Sequence, residues 1–212
     1  MTYDIVSYAG NRFIMTKAEL LRYIKSGNIT VENIRVDSLD RVYIDEKKGY
    51  NTMDVICFHS PGEENDYLSN WYYSEFTIND ITFNSVEQYM MYHKAVQFGD
   101  TMTAREIMKT KSFGRMKELG RMVRNYDDRV WSAVRYDIVK EGVLLKFSQN
   151  PDLAKKLLST GDSLLAECAV RDTIWGIGIS MRSKNRTNPD MWKGQNLLGK
   201  ILMEVREILR NN

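Results

Sequence analysis

From Met53 to the C-terminus, apolar residues recur at helical intervals, and this periodicity confines most of the chain to helices packed on a shared core. The stripe is clearest over 197–209, where Leu198, Ile201, Leu202, Val205 and Leu209 share one face. The same spacing predicts helices over 85–98, 104–108, 115–124, 127–147 and 151–159. Boundary residues agree with it. Asn84 or Ser85 can cap the first of these helices, Glu87 and Gln88 stand near the capping-box position, and Gly99 stops it. Asp127 and Asp128 suit a positive helix N-terminus, and Gly161 a left-handed helix end. Between these segments, 55–58 reads as a buried strand, 164–170 and 174–179 are strand-like, and Asn79-Asp80 joins 76–78 to 81–83 as a hairpin. The expected class is α+β, mainly α-helical.

Residues 1–50 read differently. Strand-like runs at 31–36 and 41–44 accompany a helical segment at 16–25 that Ser26-Gly27-Asn28 terminates, and 45–51 looks like a linker. The expectation is a small N-terminal α/β accessory region (1–50) of unknown role ahead of a main domain (53–212). A length of 212 residues suits that division, and 43% hydrophobic with 27% charged residues excludes disordered and collagenous classes. Cys57 and Cys168 are too few for a disulfide framework or a zinc knuckle and read as small buried hydrophobes, which fits a reducing, cytoplasmic location. Neither a signal peptide nor an apolar run approaching the roughly 18 residues of a membrane span is read. His59 and His93 have no metal-ligand spacing, so no catalytic metal is expected.

The segment 85–98 carries the most chemistry. Val86, Met90, His93 and Gln97 lie on one face, and Glu87, Met91, Lys94 and Phe98 on the adjoining one. Glu87 and Lys94 stand two turns apart, roughly 10.5 Å of helical rise, too far for a surface ion pair. They are either ordinary surface residues or two groups converging on one ligand, a carboxylate to stabilise or move charge and an amine to attack an anomeric carbon. Trp71, Trp131, Trp175 and Trp192 can each stack on a heterocycle or simply fill a core. Asp172-Thr173-Ile174-Trp175-Gly176-Ile177-Gly178 joins an acid, an aromatic and two glycines in a stretch open to a close-approaching ligand, without matching a dinucleotide fingerprint. Lys193-Gly194-Gln195-Asn196 precedes the last helix, where free backbone N–H groups can hold a phosphate or Asn196 can cap the helix. The basic window Arg105, Lys109, Lys111, Arg115, Lys117, Arg121 and Arg124 is a solvated helical face or a phosphate attractor.

Taken in order, several motifs resemble the NADAR (YbiA-like N-glycosidase) family. They are Leu68-Ser69-Asn70-Trp71, Phe83-Asn84-Ser85-Val86-Glu87-Gln88-Tyr89 continuing to His93-Lys94-Ala95, Trp131 with Arg135, Lys146-Phe147, and Leu158-Ser159-Thr160-Gly161-Asp162. Glu167, the 172–178 stretch, and 194–206 from Gly194 to Arg206 complete the set, which spans about residues 53–210. The resemblance implies a compact, mostly helical YbiA-like fold and hydrolysis of the N-glycosidic bond between a ribose and a heterocycle, with no metal or redox cofactor. It implies Lys94 as the group that forms a transient Schiff base with the opened ribose and Glu87 as the group that positions or activates the sugar. Asn70, Trp131, Asp172, Trp175, Gly176 and Asn196 are then the expected substrate-binding residues, with Trp131 stacking on the heterocycle. The favoured expectation is removal of ADP-ribose from guanine in DNA or RNA, with a toxin as the partner it would oppose. The alternatives are a ribosylated small molecule, namely a phosphoribosylamino intermediate of riboflavin synthesis, or an NAD/ADP-ribose binding module without turnover. Many relatives carry histidine where this chain has Gln88, which bears on substrate preference if that position touches substrate.

Overall fold

A computed structural model describes residues 2–7, 12–16, 34–36, 42–44 and 54–211. The chain divides into two compact units, Met1–Asp54 and Val55–Asn212. In the first, β1 (Thr2–Ser7), β2 (Arg12–Thr16), β3 (Ile34–Val36) and β4 (Val42–Ile44) form one sheet in the order β2-β1-β4-β3. β1 pairs antiparallel with β2, placing Thr2 opposite Thr16, and parallel with β4, placing Ile5 opposite Val42. β3 and β4 fall within the runs predicted at 31–36 and 41–44, of which 31–33 and 41 lie outside the described residues, whereas the β1–β2 pair was not anticipated. Its Tyr, Ile, Val and Phe content is that of strands, and Thr16 ends β2 instead of starting a helix. The rest of the predicted 16–25 helix and the 45–51 linker lie outside the described residues.

In the second unit β5 (Val55–Phe58) pairs parallel with β8 (Leu164–Glu167), so that Phe58 faces Glu167 across the strand ends. β6 (Phe76–Ile78) and β7 (Ile81–Phe83) form the expected hairpin, and both turn residues, Asn79 and Asp80, have positive φ (50° and 61°) as a tight hairpin turn requires. Six helices follow from Val86: α1 (Val86–Gln97), α2 (Thr101–Lys109), α3 (Phe113–Arg121), α4 (Asp128–Gln149), α5 (Pro151–Leu158) and α6 (Leu197–Arg210). Among the described residues no helix is long and apolar enough to cross a membrane.

α1 is central and packs against α2, α3 and α4. Its Val86, Tyr89 and Ala95 are fully buried beside Phe76, Phe83, Val143 and Phe147, each large side chain contributing about 1.5–3 kcal/mol of apolar burial. Two glycines permit this approach: a Cβ at Gly142 would lie 2.7 Å from the Tyr89 ring, and one at Gly120 would collide with the Met91 side chain. At the start of α1, Ser85 Oγ accepts from Gln88 N (3.1 Å) while Gln88 Oε1 accepts from Asn84 N (2.9 Å). The other end of the Gln88 amide donates to Ile107 O at 3.0 Å, in the last turn of α2. Gln88 therefore ties two helices together from a buried position and is spent on structure.

The segment 174–179 is not a strand. Asp172 Oδ1 accepts from Ile174 N and Trp175 N, bending the chain immediately, and Gly178 takes φ 69°. The carbonyls of Thr173, Ile174, Trp175, Gly176 and Ile177 then accept from backbone N–H groups of 193–198, so two loops zip together where β-ladder bonding was expected. Strand pairing in the 164–170 run stops at Glu167.

Candidate active site

The site forms where the start of α1, one face of α3 and the loop after β8 meet. Glu87, in the first turn of α1, donates its backbone N–H to Asn70 O (3.0 Å), which joins it to the Asp66–Trp71 loop. That loop is pinned from below by a buried cation: Lys146 of α4 is 1% exposed, and its Nζ donates to Tyr67 O (2.7 Å) and Ser69 O (2.9 Å). Burial brings the Lys146 amine down to about 7. Trp71, half-buried, stacks on Phe113 of α3 at 6.0 Å, and Lys117 Nζ lies 5.7 Å from the Trp71 ring centroid.

Lys117 and Arg121, four apart on α3, share one face. With His59, Asp172 and Thr173 they line a cleft of about 580 Å³. Asp172 faces Lys117 at 4.0 Å. Glu87, only 3% exposed, does not line the cleft but lies within electrostatic reach of Lys117, Asp172 and Arg121, which do: burial pushes its carboxyl up to about 7, opposed by Lys117 and by hydrogen bonding from Trp71. Glu167, at the end of β8, is pushed up to about 8, first by burial and then by the negative charges of Asp172 and Glu87. Lys94 occupies the other end of α1, half-buried, with its Nζ 4.1 Å from the centre of the Tyr126 ring. Burial lowers its amine, which Asp128 partly offsets and Arg121 reinforces. Arg121 thus acts electrically on both Glu87 and Lys94.

Six buried side-chain polar atoms among the described residues have no hydrogen-bond partner, and four belong to this neighbourhood: His59 Nδ1, Asn70 Oδ1, Glu87 Oε1 and Glu167 Oε2. Leaving such an atom unpaired costs about 1–3 kcal/mol, so their concentration marks a place arranged for something other than stability.

Of the residues selected from sequence, Glu87, Asn70 and Asp172 come together here, and Lys94 lies along the same helix. Trp175 is adjacent but half-buried against the core, with its N–H committed to Asp172. Three of the expected residues are occupied within the fold. Trp131 is 5% exposed within the main core, leaving no open ring face for a heterocycle. Gly176 makes room for the chain itself, because a Cβ there would lie 2.7 Å from Glu167 O and 2.9 Å from Ala169 Cβ. Asn196 neither caps α6 nor offers itself to a ligand: its Nδ2 donates to Leu165 O (2.8 Å) and its Oδ1 accepts from Glu167 N (3.1 Å), extending the β8 edge with a side chain. The N–H groups of Lys193 through Leu198 all donate to carbonyls of 173–177, so no phosphate cradle exists there.

The basic window separates by role. Lys109, Arg115 and Arg124 pair with Glu106, Glu118 and Asp100, whereas Lys117 and Arg121 turn to the cleft. Their four-residue spacing was the available signal. Glu167 also escaped assignment, although an acid at the end of a strand beside a loop of Asp and Gly is recognisable in retrospect. Cys57 and Cys168 are free and buried in one small cluster. Among the described residues no group of three or more His, Cys, Asp or Glu could hold a metal ion.

Comparison with known proteins gives the family and the fold. A model of the NADAR domain matches residues 57–210. An N-glycosidase of Acanthamoeba polyphaga mimivirus is 44% identical over 142 residues, covering 67% of this chain and 79% of that protein. A riboflavin biosynthesis protein of Vibrio vulnificus is 30% identical over 157 residues, covering 74% of this chain but 39% of that protein. The NMR structure of the E. coli protein YbiA superposes with a TM-score of 0.61 at 27% identity, covering 75% of this chain and 86% of that one.

Proposed function

This chain belongs to the NADAR family, and on that premise we propose that it is an N-glycosidase in which Lys94 captures the ribose and Glu87 moves the protons. The observation carrying this reading is the Glu87 carboxyl, buried with an unpartnered oxygen beside a cleft that holds Lys117 and Arg121. A carboxyl titrating near 7 can both take and give a proton at neutral pH, as an acid–base catalyst must. The lowered Lys94 amine supplies more of the unprotonated form that attacks carbon. Attack at the anomeric carbon forms a C–N bond as the heterocycle nitrogen leaves; ring opening gives a lysine imine, and water releases the sugar.

The preferred substrate is ADP-ribosylated guanine in nucleic acid. Lys117 and Arg121 suit the diphosphate of ADP-ribose, and Trp71 replaces Trp131 as the ring that stacks on a base. The modified base would enter from a single strand or by extrusion from a duplex. A phosphoribosylamino intermediate of riboflavin synthesis is the second reading, favoured by the name of the Vibrio relative. The deciding experiment offers purified protein an ADP-ribosyl-guanine oligonucleotide and, separately, a phosphoribosylaminopyrimidine, and follows release of the sugar. Turnover of the oligonucleotide that Lys94→Ala abolishes supports the preferred reading; an intact oligonucleotide with rapid cleavage of the small molecule rejects it.

A further inference from the structure

We propose that Glu167 is a second catalytic carboxyl, the general acid that protonates the departing heterocycle nitrogen while Glu87 serves as the base. The inference rests on the N-glycosidase reading above and divides between two carboxyls the proton traffic given there to Glu87 alone: a nitrogen leaving as an anion is a poor leaving group, and Glu87 cannot give it a proton while receiving one from Lys94.

Placement comes first. Glu167 ends β8 at the mouth of the parallel pair, and its backbone is held on both sides, the N–H donating to Asn196 Oδ1 (3.1 Å) and the carbonyl accepting from Ile177 N (2.8 Å) and Ala169 N (3.0 Å). Gly176 closes under that carbonyl so tightly that no side chain fits. A backbone this constrained aims its side chain reproducibly, while Oε2 stays buried with no partner. The residues that follow, from Ala169 to Ile174, form the wall of the cleft.

Partners then set the order of protonation. The groups acting on the carboxyls are Lys117, Arg121 and Trp71, with His59 in the same cleft. Asp172 accepts from two backbone N–H groups and faces Lys117 at 4.0 Å, so part of the Lys117 charge is already engaged. Glu87 has Trp71 and the two α3 cations in its favour. Glu167 has two negative neighbours, Asp172 and Glu87, with Lys117 alone to offset them, so its surroundings favour the protonated form more than those of Glu87 do. Two carboxyls separated in this way divide into acid and base.

The proton account closes. The Lys94 amine bonds to the anomeric carbon, the C–N pair leaves with the heterocycle, and the Glu167 proton goes to that nitrogen. The new ammonium on Lys94 gives one proton to Glu87. The ring then opens to the lysine imine, the Glu87 proton going to the ring oxygen; water adds to the imine carbon, one of its protons restoring Glu167, and Glu87 carries the new hydroxyl's proton to the lysine nitrogen as the C–N bond breaks and the sugar leaves as its aldehyde.

Glu167→Gln tests this with two N-glycosides that differ in the need for an acid. A neutral heterocycle needs a proton in order to leave, whereas a pyridinium riboside departs as a neutral base without one. Expected is a fall in kcat of about 10²-fold or more on the first, with KM little changed, and near wild-type cleavage of the second. Equal losses on both, or no loss on the first, overturn the proposal. A carbon-13 carboxyl titration of wild type and Glu167→Gln, read by NMR without substrate, separates this proposal from the N-glycosidase reading. One carboxyl protonated above Glu87 that disappears in Glu167→Gln supports the assignment even if the wild type cleaves neither compound, and its absence refutes it.

Discussion

Replacing Glu87 with glutamine should disable the enzyme and stabilise the protein, and the stabilisation should appear only above the acid range. Glu87 rises from an ordinary 4.5 to about 7 on folding. Well below pH 4.5 the group is protonated in both states and contributes no pH dependence. Between 4.5 and 7 the unfolded chain releases its proton while the folded chain keeps it, so the folded state binds more protons and stability falls as pH rises. At about 1.4 kcal/mol per pH unit, the loss is complete above pH 7 at about 3 kcal/mol. Glutamine cannot ionise and keeps an acceptor for the Trp71 indole, though it places an amide group near Lys117. The net gain expected at pH 8 is therefore about 1–3 kcal/mol, against nearly none at pH 4.5. Urea denaturation of both proteins at the two pH values, with the midpoint and slope compared at each, measures it. An equal difference at both pH values, or a less stable variant at pH 8, would refute the assignment of Glu87 as a buried carboxyl held in tension for function.

Lys146→Met removes the buried amine under the Asp66–Trp71 loop and leaves the carbonyls of Tyr67 and Ser69 unpaired; a loss of about 2–4 kcal/mol in urea unfolding and a weaker kcat are expected. Gly176→Ala forces the 172–178 turn away from Glu167 O and should cost about 1–3 kcal/mol, with sugar release falling more than substrate affinity. Asn196→Gly keeps the left-handed backbone (φ 52°) but loses both bonds to β8, so it should destabilise the fold without changing affinity for a phosphate-bearing ligand, as measured by titration calorimetry.

Local rules read well wherever one element decides its own structure. Ser85 at the cap, Asn79-Asp80 in the turn and the stripe from Leu198 to Leu209 each carry their signal within a few residues, and each lies where periodicity and turn chemistry place it. Apart from the β1–β2 pair, whose strand-like content is local, the differences are tertiary. The 174–179 run has the apolar content of a strand, but Asp172 captures two of its N–H groups and the 193–198 loop takes its carbonyls. Asn196 precedes a helix and looks like a cap until its side chain is found bonded to β8. At the candidate site, Glu87 and Lys94 share a helix face and so share a signal, whereas Glu167 comes within electrostatic reach of Glu87 only through the tertiary fold. Trp71 and Trp131 are indistinguishable by type, and burial alone makes Trp131 a core residue while leaving Trp71 half-buried beside Lys117.

The claim on which the rest depends is covalent capture of the ribose by Lys94. Adding borohydride during turnover would reduce a lysine imine to a stable amine, and digestion followed by mass spectrometry would locate the added sugar. The account predicts a reduced ribosyl adduct on the peptide containing Lys94, absent from Lys94→Ala and formed only with substrate present. Turnover that continues with no trapped adduct, or an adduct on another lysine such as Lys117, would contradict it.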